Sequence, residues 1–370
     1  MIIREFSLER FFAKHEFSAR HVLGASDVDG MRMAELLSLA DPECERLWGD
    51  LRLGYTESAG HPLLRAQIAA LYPGLSDTDI LTFSGAEEGI FLTMHATLQA
   101  GDHMVVVWPA YQSLHEVARS IGAEITAVPL DPRDWSLDLN RLRDALRPNT
   151  KLLIINFPNS PTGAHIGEPA LHAIVEMCVD RGIRLFSDEV YRLLEHDRAD
   201  TLPAAATLHE GAVSLGVLSK AYGLAGLRVG WIATRDAALR ARIAALKDYT
   251  TICGAAPSEI LGLIALRAGD RVVGRCRSIL AGNLPILTAF MERLSGVLAW
   301  VPPTAGSVCF PRFAGAVDAE RAAEVLIARV GVVVVPGARF DFDRSYFRVG
   351  YGRADMVTAL DLIEPILLGY

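Results

Sequence analysis

Lys220 stands in the run Leu218-Ser219-Lys220-Ala221-Tyr222-Gly223-Leu224-Ala225-Gly226-Leu227-Arg228-Val229-Gly230, directly after an apolar stretch and ahead of a glycine-rich turn. A lysine that attacks a carbonyl carbon must first lose its proton, and burial or a nearby cation favours that loss. Arg228 returns such a cation where the next apolar run begins, and an arginine fork also suits a phosphate. Spacing alone does not separate this chemistry from a loop lysine beside a structural arginine. A second candidate is Phe186-Ser187-Asp188-Glu189-Val190-Tyr191, which closes another apolar run. There Asp188 could hold a protonated ring nitrogen and Tyr191 could donate to a phenolate oxygen. An acidic residue in that place also serves commonly as a helix cap.

Three more segments have the same character. Asn156-Phe157-Pro158-Asn159-Ser160-Pro161-Thr162-Gly163 is a rigid turn whose polar side chains can face a cleft. Phe83-Ser84-Gly85-Ala86-Glu87-Glu88-Gly89 passes through small residues into a helix, and the exposed N–H groups of a helix start form a seat for phosphate. Trp108-Pro109-Ala110-Tyr111 offers an aromatic that could stack on a ring or pack in the core. Pyridoxal 5′-phosphate (PLP) needs such an arrangement, because a carboxylate on its pyridinium nitrogen keeps the ring an electron sink, but each of these segments taken alone also has a structural reading.

The elements that must position these residues are short β-branched runs separated by helix-length segments. The expected strands are Ile80–Phe83, Met104–Val107, Glu124–Val128, Lys151–Asn156, Arg184–Ser187, Val213–Leu218 and Val229–Ala233. Stretches such as Glu87–Gln99 and Tyr111–Ile121 lie between them as helices. This rhythm predicts βαβ units and a largely parallel sheet, where ligands bind at the carboxyl ends of strands. Further on, Leu284–Leu294 and Ala319–Val330 read as helices, and Ser307–Arg312, Val332–Val335 and Tyr346–Tyr351 as short strands. They predict a smaller α/β domain. The expected division is an N-terminal segment 1–45 joining the small domain, a large domain 46–280 and a small domain 281–370.

A chain of 370 residues with 22% charged residues has the make-up of a globular protein with a sizeable core. A net charge of −8 argues against general nucleic-acid binding. Five dispersed cysteines without metal-ligand spacing read as reduced core thiols, not a disulfide frame or a zinc site. Neither a signal peptide nor a membrane span is expected, so the predicted location is cytoplasmic.

Taken in order, these motifs resemble the class I/II aminotransferases of the fold-type I PLP enzymes, from about residue 20 to the end. The resemblance implies a three-layer α/β sandwich with a mostly parallel seven-stranded sheet plus a smaller α/β domain. It implies that Lys220 holds PLP as a Schiff base and shuttles a proton, that Asp188 faces the pyridinium nitrogen, and that Tyr191 faces the phenolate oxygen. Arg228, Ser219 and the backbone around Gly85, Ala86 and Glu87 correspond to the phosphate cup, and Tyr111 to the stacking aromatic. Tyr55, in Leu53-Gly54-Tyr55-Thr56-Glu57-Ser58-Ala59-Gly60, corresponds to a tyrosine that crosses to a partner's phosphate, which implies a homodimer. Arg348, in Tyr346-Phe347-Arg348-Val349-Gly350, corresponds to the arginine that grips the substrate α-carboxylate. Physical chemistry agrees, since a guanidinium bracketed by apolar residues needs an anion, from substrate or from a structural ion pair. Gly24, in Leu23-Gly24-Ala25-Ser26, matches a segment that lies over the substrate.

Two positions depart from the family pattern. Ser160 stands where an asparagine usually contacts the cofactor, with Asn159 before it, so either residue is a candidate for that contact. Val217 stands where many members carry a hydroxyl for the phosphate. The expected activity is transfer of the amino group of an L-amino acid to a 2-oxo acid. The alternative is a β/γ-eliminase or a cyclase, carbon–sulfur lyase-like or capreomycidine synthase-like, which the segment Ser26–Leu37 resembles. A non-catalytic regulator with a DNA-binding head fits poorly, because only about twenty residues precede the resemblance. Arg20, Arg32 and Arg192 are the candidates to bind a second substrate carboxylate.

Overall fold

A computed structural model describes residues 2–370. Its main sheet holds β1 (Ile80–Phe83), β2 (His103–Trp108), β3 (Glu124–Pro129), β4 (Thr150–Asn156), β5 (Arg184–Asp188), β6 (Ala212–Val217) and β7 (Gly230–Ala233). The seven strands lie in the order β1-β7-β6-β5-β4-β2-β3. Helices Ala86–Thr97, Ser113–Ile121, Leu139–Ala145 and Glu168–Arg181 alternate with them along the chain. Strands covered on both faces must be apolar throughout, and β1, β6 and β7 are buried at every position. At the edge, β3 exposes Glu124, which pairs with Arg147 at 2.7 Å; a charged edge resists pairing with another chain.

Strands β2 to β6 pair in parallel, whereas β7 runs antiparallel to both β1 and β6. Residues just before β7 therefore lie at the same end as residues just after the others. That reversal brings Arg228 to the carboxyl edge shared by Asp188 and Lys220.

All seven expected strands form, with ends shifted by one or two residues. The C-terminal region departs more. The run Ser307–Arg312 divides into β9 (Val308–Cys309) and β10 (Arg312–Phe313), because Pro311 between them has no N–H for a continuous ladder. Strand β10 pairs with β8 (Leu298–Ala299), while β9 joins β12 (Phe347–Gly350), which pairs with β11 (Val335–Pro336). The stretch Leu284–Leu294 is the second half of one helix, Gly269–Arg293, so the expected boundary at 280/281 falls inside a continuous element. The N-terminal segment lies along the small sheet: Gly24 N–H donates to the Val333 carbonyl at 2.7 Å and Gly350 N–H to the Leu23 carbonyl at 2.6 Å. Among the described residues, no helix is long and apolar enough to cross a membrane.

Phe186, at the centre of β5, is fully buried in the main core. Phe186→Ala removes a ring that the neighbouring strands cannot replace, at an expected cost of about 3–5 kcal/mol. Urea titration should show the midpoint moving down with little change in slope.

Candidate active site

The carboxyl edge of the sheet assembles the site. Gly85 and Ala86 follow β1, Tyr111 follows β2, Asn156 ends β4, Asp188 ends β5, Lys220 follows β6 and Arg228 precedes β7. Helix Ala86–Thr97 begins at Gly85, whose φ of +86° is open to glycine at little cost, and no side chain caps its first turn. Those N–H groups and the positive end of the helix dipole make an anion seat. Around it the packing is close: a Cβ on Gly85 would stand 2.9 Å from Cζ of Arg228, and one on Gly230 would stand 2.7 Å from the Ala86 nitrogen. Arg228 itself has φ +53°, an uncommon conformation for a non-glycine residue, and donates to the Ala225 carbonyl at 3.2 Å. Ser219 is buried beside Lys220, and the buried Val217 brings no hydroxyl to this wall.

Behind the seat lie the ionisable groups. Asp188 is buried and accepts a hydrogen bond from the Val190 N–H at 3.2 Å. Burial pushes its carboxyl up to about 7, with Lys220 acting in the opposite direction. Glu87 is also pushed up to about 7, chiefly by burial, with Glu9 and Asp188 adding to the effect. Lys220 Nζ donates to Ser26 Oγ at 2.8 Å and lies 5.7 Å from the centre of the Tyr191 ring. Tyr191 and Ser307 both donate to the Ser26 carbonyl, at 3.3 and 2.7 Å.

Arg348, on β12, is only 2% exposed, yet no carboxylate lies within ion-pairing distance of it among the described residues. Its Nε and Nη2 donate to the Gly24 carbonyl at 3.1 and 2.9 Å, and Nη1 to Ser160 Oγ at 3.4 Å. Gly24 thus orients the fork through its carbonyl. A Cβ there would meet the Val335 nitrogen at 2.9 Å. Of the paired candidates in the proline turn, Ser160 faces Arg348. Asn159, expected as a possible cofactor contact, has its amide engaged in the turn: it donates to the Pro109 and Asn156 carbonyls at 3.2 and 3.3 Å and accepts from Thr162. Both amide hydrogens of Asn159 are thus engaged within the turn. Tyr111 donates to Glu9 Oε1 at 2.7 Å. Tyr55 is 89% exposed and stands apart from these groups.

The N-terminal helix α1 (Ser7–His15) was not among the candidates, yet it lies over the site. Glu9 reaches Tyr111, and the Phe12 ring lies 5.8 Å from the Arg348 guanidinium carbon. The start of α1 is capped from afar: Ser7 N–H donates to Gln112 Oε1 at 2.9 Å, and Gln112 returns a bond to the Glu5 carbonyl. Its sequence signal is the helical spacing of Leu8, Phe11 and Phe12, of which Leu8 and Phe11 are buried.

The sequence profile of the family aminotransferase class I and II matches residues 22–361. The chain belongs to that family. Capreomycidine synthase of Streptomyces vinaceus is 31% identical over 349 residues, 93% of this chain and 88% of that protein. Among solved structures, a PLP-dependent aminotransferase from Streptococcus suis superposes with a TM-score of 0.93 at 28% identity, covering 100% of this chain and 99% of that one. The PLP-dependent cyclase OrfR superposes with a TM-score of 0.91, also at 28% identity, covering 100% and 98%. The cofactor is PLP. The residues present suit it: an uncapped helix start under an arginine for the phosphate, and a buried carboxyl without a cationic partner for the ring nitrogen.

Because the folded-state pKa of Asp188 is raised, the cofactor-free fold binds its proton more tightly than the unfolded chain does. The fold therefore loses stability as pH rises from the ordinary carboxylate range through about 7. Asp188→Asn removes that cost. In cofactor-free protein, the variant should melt a few degrees above the wild type at about pH 8 and alongside it at about pH 4, by thermal scans across the range.

Proposed function

We propose that the protein is an aminotransferase that moves the amino group of an L-amino acid to a 2-oxo acid. The observation that carries this reading is a lysine amine at the strand edge that ends in the buried carboxyl of Asp188, held by Ser26 of the segment whose Gly24 carbonyl holds the buried Arg348, a guanidinium with no anion among the described residues. Bound PLP supplies a carbonyl carbon for the substrate amine and an electron sink for the Cα–H bond. Arg348 receives the α-carboxylate, its fork aimed by Gly24 and Ser160. Asp188 would hold the protonated ring nitrogen, a cation that would balance its buried charge. Lys220 Nζ would take the Cα proton as general base, with Ser26 Oγ holding the amine in place. Tyr191 would face the phenolate oxygen, and Arg228 with the Gly85–Glu87 backbone and Ser219 would hold the phosphate.

A β/γ-elimination or cyclisation is the second reading, favoured by the similarity to capreomycidine synthase and to the cyclase OrfR. The residues serve both courses, since each begins with loss of the Cα proton to Lys220.

We also propose that the working unit is a homodimer. Leu53, Tyr55, Tyr249 and Ile252 are exposed large side chains on two adjoining segments, linked where Thr56 donates to the Gly254 carbonyl. Thr250 and Thr251 of the second segment bond Glu88, at the start of the phosphate-seat helix. An apolar surface beside that seat suits a partner whose Tyr55 completes it. The division into a large PLP-binding part and a small part that carries Arg348 belongs to the same reading, and the unpaired cysteines suit a reducing compartment such as the cytoplasm.

With an amino-acid donor, sustained turnover should require an added 2-oxo acid; turnover without one would move the assignment to the second reading. Lys220→Ala should abolish the lysine-linked cofactor absorbance and lower turnover by about a thousandfold or more. Turnover at the wild-type level in that variant would refute the role of Lys220.

A further inference from the structure

We propose that the site selects L-amino acids whose side chain ends in a cation, a guanidinium or an ammonium, bound by Glu16 and Glu9 of the N-terminal segment with Asp27 beside them. The inference rests on the reading of the site as one that binds an α-amino acid through Arg348, and it holds for transamination and for elimination or cyclisation alike.

The argument is one of charges left without partners. Segment 24–27 runs through the site: the Gly24 carbonyl holds Arg348, Ser26 Oγ accepts from Lys220, and Asp27 follows directly. Across it lies α1. Glu9, Phe12 and Glu16 are spaced three and four residues apart, which puts them on one face of the helix and its last turn. Two contacts fix that face toward the site, Glu9 with Tyr111 at 2.7 Å and Phe12 with Arg348 at 5.8 Å. Glu16 is half-buried, and its carboxylate has no hydrogen-bond or ion-pair partner among the described residues. Burial raises its pKa, Asp27 and Glu9 add to that, and Arg353 and Lys220 oppose it. Glu9 engages one carboxylate oxygen with Tyr111. Asp27 pairs with Arg353 at 2.8 Å, and Arg353 also reaches Asp29 at 3.3 Å, so that guanidinium is already engaged.

The vacant charges are therefore a cation, Arg348, and a surplus of carboxylate centred on Glu16. A ligand that satisfies both carries an α-carboxylate and a distal cation. A distal carboxylate finds no free guanidinium: Arg192 donates to the Leu202 carbonyl, Arg20 lies along Gly331, Arg32 is exposed, and Arg228 stands over the phosphate seat. A neutral side chain would cover Glu16 without replacing the water it loses.

The test uses the PLP-loaded enzyme and four probes: L-arginine, its neutral near-isostere L-citrulline, L-lysine and L-glutamate. Half-saturation is read from the cofactor absorbance and independently from binding heat. L-Arginine should bind about thirtyfold more tightly than L-citrulline, the scale of one charge-assisted pair, with L-lysine also ahead of L-citrulline and L-glutamate last. Glu16→Gln should cut the arginine-to-citrulline ratio by about tenfold. Arg348→Gln should weaken both ligands together and keep the ratio. Equal binding of arginine and citrulline by the wild type, or a preference for glutamate, would overturn the inference and leave the aminotransferase reading standing. Absence of any cofactor band or any response to amino acids would overturn both. The wild-type ratio decides the matter even where a variant fails to fold.

Discussion

Asp188 and Arg348 are ionisable groups held in the interior without a counter-ion, and keeping them there organises much of the molecule. An uncompensated buried charge is costly, so each must either find a partner or shift its protonation. Asp188 shifts upward. Arg348, which stays charged, accepts the partial charges of one carbonyl and one hydroxyl and the faces of Phe12 and Phe340. Both arrangements leave polar capacity unfilled within the protein. The fold stores the binding energy of its ligands as polar groups whose natural partners it withholds.

The rest of the architecture delivers these groups to one place. Parallel strands present their carboxyl ends together, so residues scattered from Gly85 to Lys220 converge. The single reversed strand β7 lets Arg228 reach that edge from its other side. Arg348 comes from a separate sheet, carried across by the long helix Gly269–Arg293, and the N-terminal strap couples the two by hydrogen bonds at Gly24 and Ser26. A substrate that bridges Arg348 and Lys220 would thus touch both parts of the protein and the strap between them.

Helix α1 covers the strand-edge site without belonging to the sheet that builds it. Glu9 bonds Tyr111 and the Phe12 ring lies against Arg348. Its first turn is capped by Gln112, which follows β2 and Tyr111, so the helix is tied to the strand edge it covers.

Much of this was legible in the sequence. The β-branched runs dictate a parallel sheet because only doubly covered strands can be apolar throughout, and the motifs at their ends fall where such a sheet binds ligands. Lys220, Asp188, Tyr191, Arg228 and Arg348 were all visible as residue types in telling places. What the sequence could not decide was which polar groups remain free once the chain has folded. Asn159 and Ser160 are neighbours, yet the turn consumes one amide and leaves the other hydroxyl to Arg348. Glu9 looks like a solvated charge on a short helix until tertiary packing brings it to Tyr111. Local sequence sets propensity and burial pattern, but hydrogen-bond satisfaction is a balance over partners distant in the chain, and only the tertiary structure closes it.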